Sequence, residues 1–165
     1  MTMKLLRSFI CCTKGAAAAE MALVAPLLIV IMFGAFEAGN LFWNQHVLSN
    51  AVRDGVRFAG RRPLADFEGC SPSADVVTDT QNVIRTGRVS GGTDRSISWT
   101  DAVIEVEGDC DDNFTQGIYI NSPDSAAPFV TVRATITYDS LFGNLGFTAA
   151  DLTLQADARA AVVGF

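Results

Sequence analysis

The sequence predicts an α+β chain: one long N-terminal helix, a second short helix, and an antiparallel sheet of about four strands. Three observations predict it. An unbroken apolar run follows residue 15, a period of three to four residues continues the helix to about residue 60, and two-residue alternation marks the later segments. The implied organisation is a basic leader over 1–15 and a long helix over 16–60. The first half of that helix, 16–36, would lie in a membrane. An α+β head follows over 61–165.

The charge distribution sets the leader apart. Lys4, Arg7 and Lys14 precede residue 15 and no acid does, whereas all 18 acids follow it. A chain cut after residue 15 would carry nine basic residues against those 18 acids, a net charge of −9. This segregation matches the positive-inside rule, with a cationic leader in the cytoplasm and an acidic body exported. An acidic body also lacks the cationic footprint that nucleic acid attracts, so no nucleic-acid partner is expected.

The first element runs from Ala16 to Phe36, about 21 residues or roughly 31 Å as a helix, enough to cross a hydrocarbon core. A cleaved secretory signal needs small residues at −3 and −1 after the run, and Ala35-Phe36-Glu37-Ala38 fits poorly. Glu20 stands at the start of the apolar run, where a carboxylate is expensive without a reason. Gly15, five residues earlier, suggests one. Cleavage after Gly15 frees an α-amine at Ala16, one helical turn from Glu20 at i and i+4. That amine neutralises the carboxylate either within one helix or between neighbouring subunits, and the second arrangement makes the pair an assembly signal. The plain alternative is a Glu20 resting among headgroups. Pro26 removes a backbone donor and should kink the membrane half. Near the outer end Glu37 stands among Gly34, Gly39 and Asn40, where small residues allow close helix approach. It either pairs with a partner helix or sits at the outer headgroup level.

Three strings carry a family resemblance: Gly15-Ala-Ala-Ala-Ala-Glu20-Met-Ala-Leu-Val-Ala-Pro26-Leu-Leu, Phe33-Gly34-Ala-Phe-Glu37-Ala-Gly39, and Leu48-Ser-Asn50-Ala-Val-Arg53-Asp-Gly55-Val-Arg57-Phe-Ala59. Together they resemble the TadE-like family, minor pseudopilins of the Tad (Flp) pilus system in bacteria. The match is specific over about the first 60 residues and general beyond. The resemblance implies a pilin-like fold, processing by a prepilin peptidase at Gly15–Ala16, and Glu20 as the recognition carboxylate. It also implies a role in assembling an adhesive pilus, with other pilin subunits, the Tad assembly platform and inner-membrane lipid as partners. One departure is Met21, where the family usually has Phe or Tyr; a bulky apolar residue is retained.

Above the membrane half, Leu48, Ala51/Val52, Gly55/Val56 and Ala59 recur at helical spacing and give a buried face. No proline interrupts the chain between Pro26 and Pro63, so the helix should reach about Gly60, roughly 65 Å from Ala16. Opposite the buried face Arg53, Arg57 and Arg61 form a stripe, expected as a solvated face paired locally with Asp54, or else as a contact for acids of another subunit. Arg61 to Ser73 reads as a loop. Ser71 or Ser73 can cap a helix to about Arg85, with Val76/Val77, Thr80 and Val83/Ile84 inward and Gly87 closing it.

Alternation at Ile97/Trp99 and at Ile104/Val106 predicts two short strands. Phe129 to Tyr138 is the clearest strand, with Val130, Val132, Ala134, Ile136 and Tyr138 on one face. Leu152 to Val162 repeats the pattern with Leu154, Ala156, Ala158 and Ala160 inward. One-sided alternation fits a sheet with a single covered face, and the small alanines suit a closely packed helix.

The cysteines divide by compartment. Cys11 and Cys12 lie in the leader, whereas Cys70 and Cys110 are exported and most simply form a disulfide, closing a loop of about 40 residues and stabilising by roughly 3–4 kcal/mol. One histidine and two distant cysteines supply too few ligands for zinc. The acidic cluster Asp109, Asp111, Asp112 and Asn113 lacks EF-hand spacing and reads as a solvated loop. With His46 alone, on the long helix, no Ser-His-Asp arrangement is expected in the head, and no glycine-rich phosphate loop is present. Neither enzymatic activity nor a cofactor is expected. Two classes remain: a processed minor pilin that joins or primes a filament, and a membrane-anchored periplasmic accessory or binding module that does not.

Overall fold

The computed structural model describes residues 14–113, 116–121, 126–143 and 152–164. The chain divides into two units, Met1–Gly39 and Asn40–Phe165. Helix α1 is Lys14–Ala59 and contains Pro26. In the first unit its apolar side chains face outward; Met21, Leu23, Leu27 and Leu28 are each more than half exposed.

The second unit is built on the remainder of α1. Leu48, Ala51, Val52 and Ala59 are fully buried, as their three-to-four spacing dictates. Two single turns of 3-10 helix follow, Leu64–Asp66 and Glu68–Cys70. Helix α2, Ala74–Thr86, starts at Ser73, whose hydroxyl accepts from Val76 N–H at 3.5 Å. It stops at Gly87, which takes the left-handed conformation with φ 76° and returns its N–H to the Val83 carbonyl. Val76, Thr80, Val83 and Ile84 are its buried face. Gly55 lets α2 approach α1, because a Cβ there would collide with the Ile84 side chain.

The sheet has three antiparallel strands in the order β1-β2-β3: β1 Val103–Asp111, β2 Ala127–Thr137 and β3 Thr153–Ala161. Val106 pairs with Val132 and Val132 with Ala158, so the apolar rows fall in register. Val130, Val132, Ala134 and Ile136 are buried on the inner face, where they join the α1 residues, Val76, Ile84 and Leu154 in one core. The small residues of β3 do admit a close helix end: a Cβ on Gly60 would lie 3.0 Å from the Ala161 carbonyl oxygen. The outer face is polar, with Arg133 bridging Glu105 at 3.5 Å and Arg159 bridging Asp109 at 3.2 Å.

One expected strand is absent, so the described sheet has three strands rather than about four. Ile97 and Trp99 are buried at 8% and 4% exposure, as a strand's inward residues would be. Their backbone instead makes short-range bonds, Ile97 N–H to Arg95 carbonyl and Ala102 N–H to Trp99 carbonyl. The alternation there records two anchors pressed into the core from a turn.

Each sheet edge has one backbone acceptor capped by a glutamine side chain. On β1 the Gln81 amide donates to the Ile104 carbonyl at 3.1 Å. On β3 the Gln45 amide donates to the Gln155 carbonyl at 2.9 Å, and just past the strand Val163 N–H donates to the Gly60 carbonyl at 2.8 Å.

Candidate functional site

The residues singled out for processing lie together in the first turns of α1. Gly15, Ala16 and Glu20 are exposed, and helical geometry sets Ala16 and Glu20 one turn apart on a common face. The leader residues Lys4, Arg7, Cys11 and Cys12 lie outside the described residues. Further along, Pro26 is exposed inside the helix, as are Gly34 and Gly39, where an added Cβ would meet nothing within 4 Å. These glycines therefore serve no packing within the described chain. Glu37 is partly buried. The helix Gly15–Ala59 is long and apolar enough to cross a membrane, and it fits a single-pass membrane anchor.

Arg53 and Arg57 are exposed on the last turns of α1 and Arg61 just past its end, and the three form no ion pair among the described residues. The expected local pairing with Asp54 is corrected: Asp54 bonds Arg95 at 2.8 Å. That partner stands 41 residues away, so helix spacing alone had no means of finding it.

A second constellation joins the loop before α2 to strand β1. Cys70 and Cys110 are bonded as a disulfide with their Cα atoms 5.3 Å apart. Cys70 is buried and holds a left-handed backbone, φ 54°, directly after Gly69 at φ 62°. Gly108 passes beneath it so closely that a Cβ would collide with the Cys70 carbonyl and reach Pro72 Cδ at 2.8 Å. Sequence reasoning missed this contact; the signal was a glycine interrupting the alternation of β1.

The remaining candidate groups of the head, among the described residues, are tied into local contacts. A cleft of 430 Å³ lined by Ala65, Asp66, Glu68, Ser71, Pro72 and Ser73 is open to solvent, and its Asp66 is held by Arg62 at 3.1 Å. His46 pairs with the Asn50 amide at 2.9 Å. In the acidic turn, Asp111 accepts from the backbone N–H and amide of its own neighbour Asn113, and Asp109 is taken by Arg159. Among the described residues no group of three His, Cys, Asp or Glu stands close enough to hold a metal. Burial raises the pKa of the Tyr119 phenol above its ordinary value, so it stays neutral at physiological pH and builds no acid–base pair.

At the opposite end of the sheet the Asn40 amide donates to the Tyr138 hydroxyl at 3.0 Å and to the Asp139 carbonyl at 3.4 Å. This polar tie also went unread in the sequence, although an inward tyrosine at a strand end needs a partner for its hydroxyl.

Residues 15–57 match a family model described as TadE-like protein. No curated protein and no solved structure matches the chain. The matched segment begins at Gly15 and runs through Glu20, the apolar half of α1 and its buried face as far as Arg57. Over that segment of the helix the chain is similar to the TadE-like family.

Proposed function

We propose that the protein is a minor pseudopilin, cut after Gly15 by a prepilin peptidase and used in assembling a Tad-type adhesive pilus. Its role is structural, with no catalytic step of its own. The observation that carries this reading is the coincidence of the family match with the helix: the match begins at Gly15, the residue whose carbonyl would be cleaved. Before assembly the leader lies in the cytoplasm, the apolar part of α1 crosses the inner membrane and the head stands in the periplasm. The cationic residues Lys4, Arg7 and Lys14 ahead of an acidic body support that orientation.

Cleavage turns the Ala16 nitrogen into a cation beside the apolar run. Glu20, exposed one turn away, is the anion that such an amine on this or a neighbouring subunit would neutralise, since a buried charge is tolerated only when paired. Exposed Gly34 and Gly39 would let a second helix come close, and the Arg53, Arg57 and Arg61 stripe would meet acids of a neighbour.

The test is the mature N-terminus, read by mass spectrometry of the full chain from cells with and without the peptidase. A chain beginning at Ala16 only when the peptidase is present supports the proposal. A chain still beginning at Met1 in both overturns it and leaves an anchored periplasmic module.

A further inference from the structure

Two rows of opposite charge stand at opposite borders of the head. Arg62, Arg85, Arg95, Arg133 and Arg159 each hold a carboxylate of their own chain. Arg53, Arg57 and Arg61 hold none among the described residues, although all three are exposed. The later two stand at the β3 border, where they line a cleft of about 180 Å³ with Gly60, Ala160, Ala161 and Val163. The acidic row is on β1, the other outer strand in the order β1-β2-β3. There Glu105, Glu107 and Asp109 are exposed at alternate positions, while Ile104 and Val106 between them turn toward the core. The side chains of Glu105 and Asp109 remain 49% and 71% exposed even while bonded to Arg133 and Arg159. Glu107 forms no ion pair among the described residues.

We propose that the arginine row of one copy docks on the β1 carboxylate row of a second copy of this chain, joining head to head. The inference rests on the subunit reading above and deepens it, naming the acids that the arginines meet. The two rows match in pitch. Four residues of helical rise set Arg53 and Arg57 roughly 6 Å apart, and two residues of extended strand set successive carboxylates about 6.8 Å apart. They also match in sign: no lysine or arginine occurs between Arg95 and Arg133, so β1 carries no cation of its own. Arg133 and Arg159 reach the row from the neighbouring strands and offset two of its charges, leaving Glu107. Exposed ion pairs hold little by themselves, and an apolar seat beside them strengthens them by excluding water. Each row has one, with Val163 46% exposed in the arginine cleft and Val103 57% exposed at the start of the β1 row. Because the two rows are different surfaces, the contact is heterologous, and a docked copy still offers its own β1 row to the next. A contact of that kind propagates along a filament unless the rotation closes a ring.

The experiment uses the full chain in a non-ionic detergent at low salt, with Arg61 replaced by photoreactive benzoylphenylalanine and Arg53 and Arg57 kept. After illumination, covalent dimer is measured on a denaturing gel and the joined residues are found by mass spectrometry. Position 61 should join segment 103–112 of the other copy. The yield of that dimer should fall roughly threefold or more at about 0.5 M salt, where exposed charges are screened. Glu107→Arg should lower it to a similar degree, and adding Arg57→Glu to the same chain should restore it, since the reversed pair attracts again. Restoration also shows that neither change acts by unfolding the head. The absence of a dimer overturns the proposal, as does a dimer joined outside 103–112. So does a yield unmoved by Glu107→Arg or not restored by Arg57→Glu. None of these outcomes touches cleavage of the leader, which is read separately from the mature N-terminus. A failed head contact and a failed pseudopilin reading are thereby told apart.

Discussion

Removing the Cys70–Cys110 disulfide should lower the melting temperature of the head by about 15 °C. The bond closes a loop of sequence separation 40, and the chain-entropy relation gives about 4 kcal/mol for a loop of that length. A head of roughly 125 residues unfolds with an entropy near 0.26 kcal/mol/K, which converts that loss to about 15 °C. The double substitution Cys70→Ala with Cys110→Ala avoids leaving one thiol buried. Because Cys70 already holds a left-handed backbone, alanine there carries the same backbone strain and does not disturb the comparison. The assay is a thermal melt of the full chain in detergent micelles, followed by near-ultraviolet circular dichroism from buried Trp99. Reduction of the wild type with dithiothreitol gives the cross-link contribution alone, and the substituted chain adds the lost packing of buried Cys70. A fall of less than about 5 °C in both would refute the reasoning, since the unfolded chain would then gain little freedom from the cut.

Other outcomes follow from single contacts. Gly108→Ala should destabilise the head by about 1–3 kcal/mol or more, because the new methyl meets the Cys70 carbonyl and neither backbone is free to retreat; a melt of the variant checks it. Gly34→Ala should leave the same melt unchanged, since nothing lies within 4 Å, so any loss of pilus assembly it causes would come from contacts between subunits. Ser73→Ala removes the cap of α2 and should lower stability by about 0.5–1 kcal/mol, the low end of the range because the bond is 3.5 Å long. Glu20→Ala should leave head stability intact and reduce pilus assembly, measured by counting pili on cells producing each variant.

What the sequence made readable was local or periodic. The inward rows of β2 and β3 and the ends of α2 at Ser73 and Gly87 are where spacing and capping chemistry put them. Ile97 and Trp99 misled because burial every second residue is shared by strands and by turns pinned to a core. The Asp54–Arg95 bond, the Gly108 crossing and the Asn40–Tyr138 tie each join residues distant along the chain. No propensity or period encodes which distant partner will arrive. In the proposed processing segment the opposite holds: Gly15, Ala16 and Glu20 are neighbours on one helix, so their relation is complete in one dimension.

The two glutamines that close the sheet have a consequence for how such molecules add together. Gln81 occupies the backbone acceptor of Ile104 on one border and Gln45 that of Gln155 on the other, and just past β3 the Gly60 carbonyl takes the Val163 N–H. A foreign strand arriving at either border finds one of its hydrogen-bonding places already taken. At high local density these caps make edge-to-edge strand addition between heads less favourable. In the filament proposed above, subunits would then join through their helices rather than by pairing their sheets.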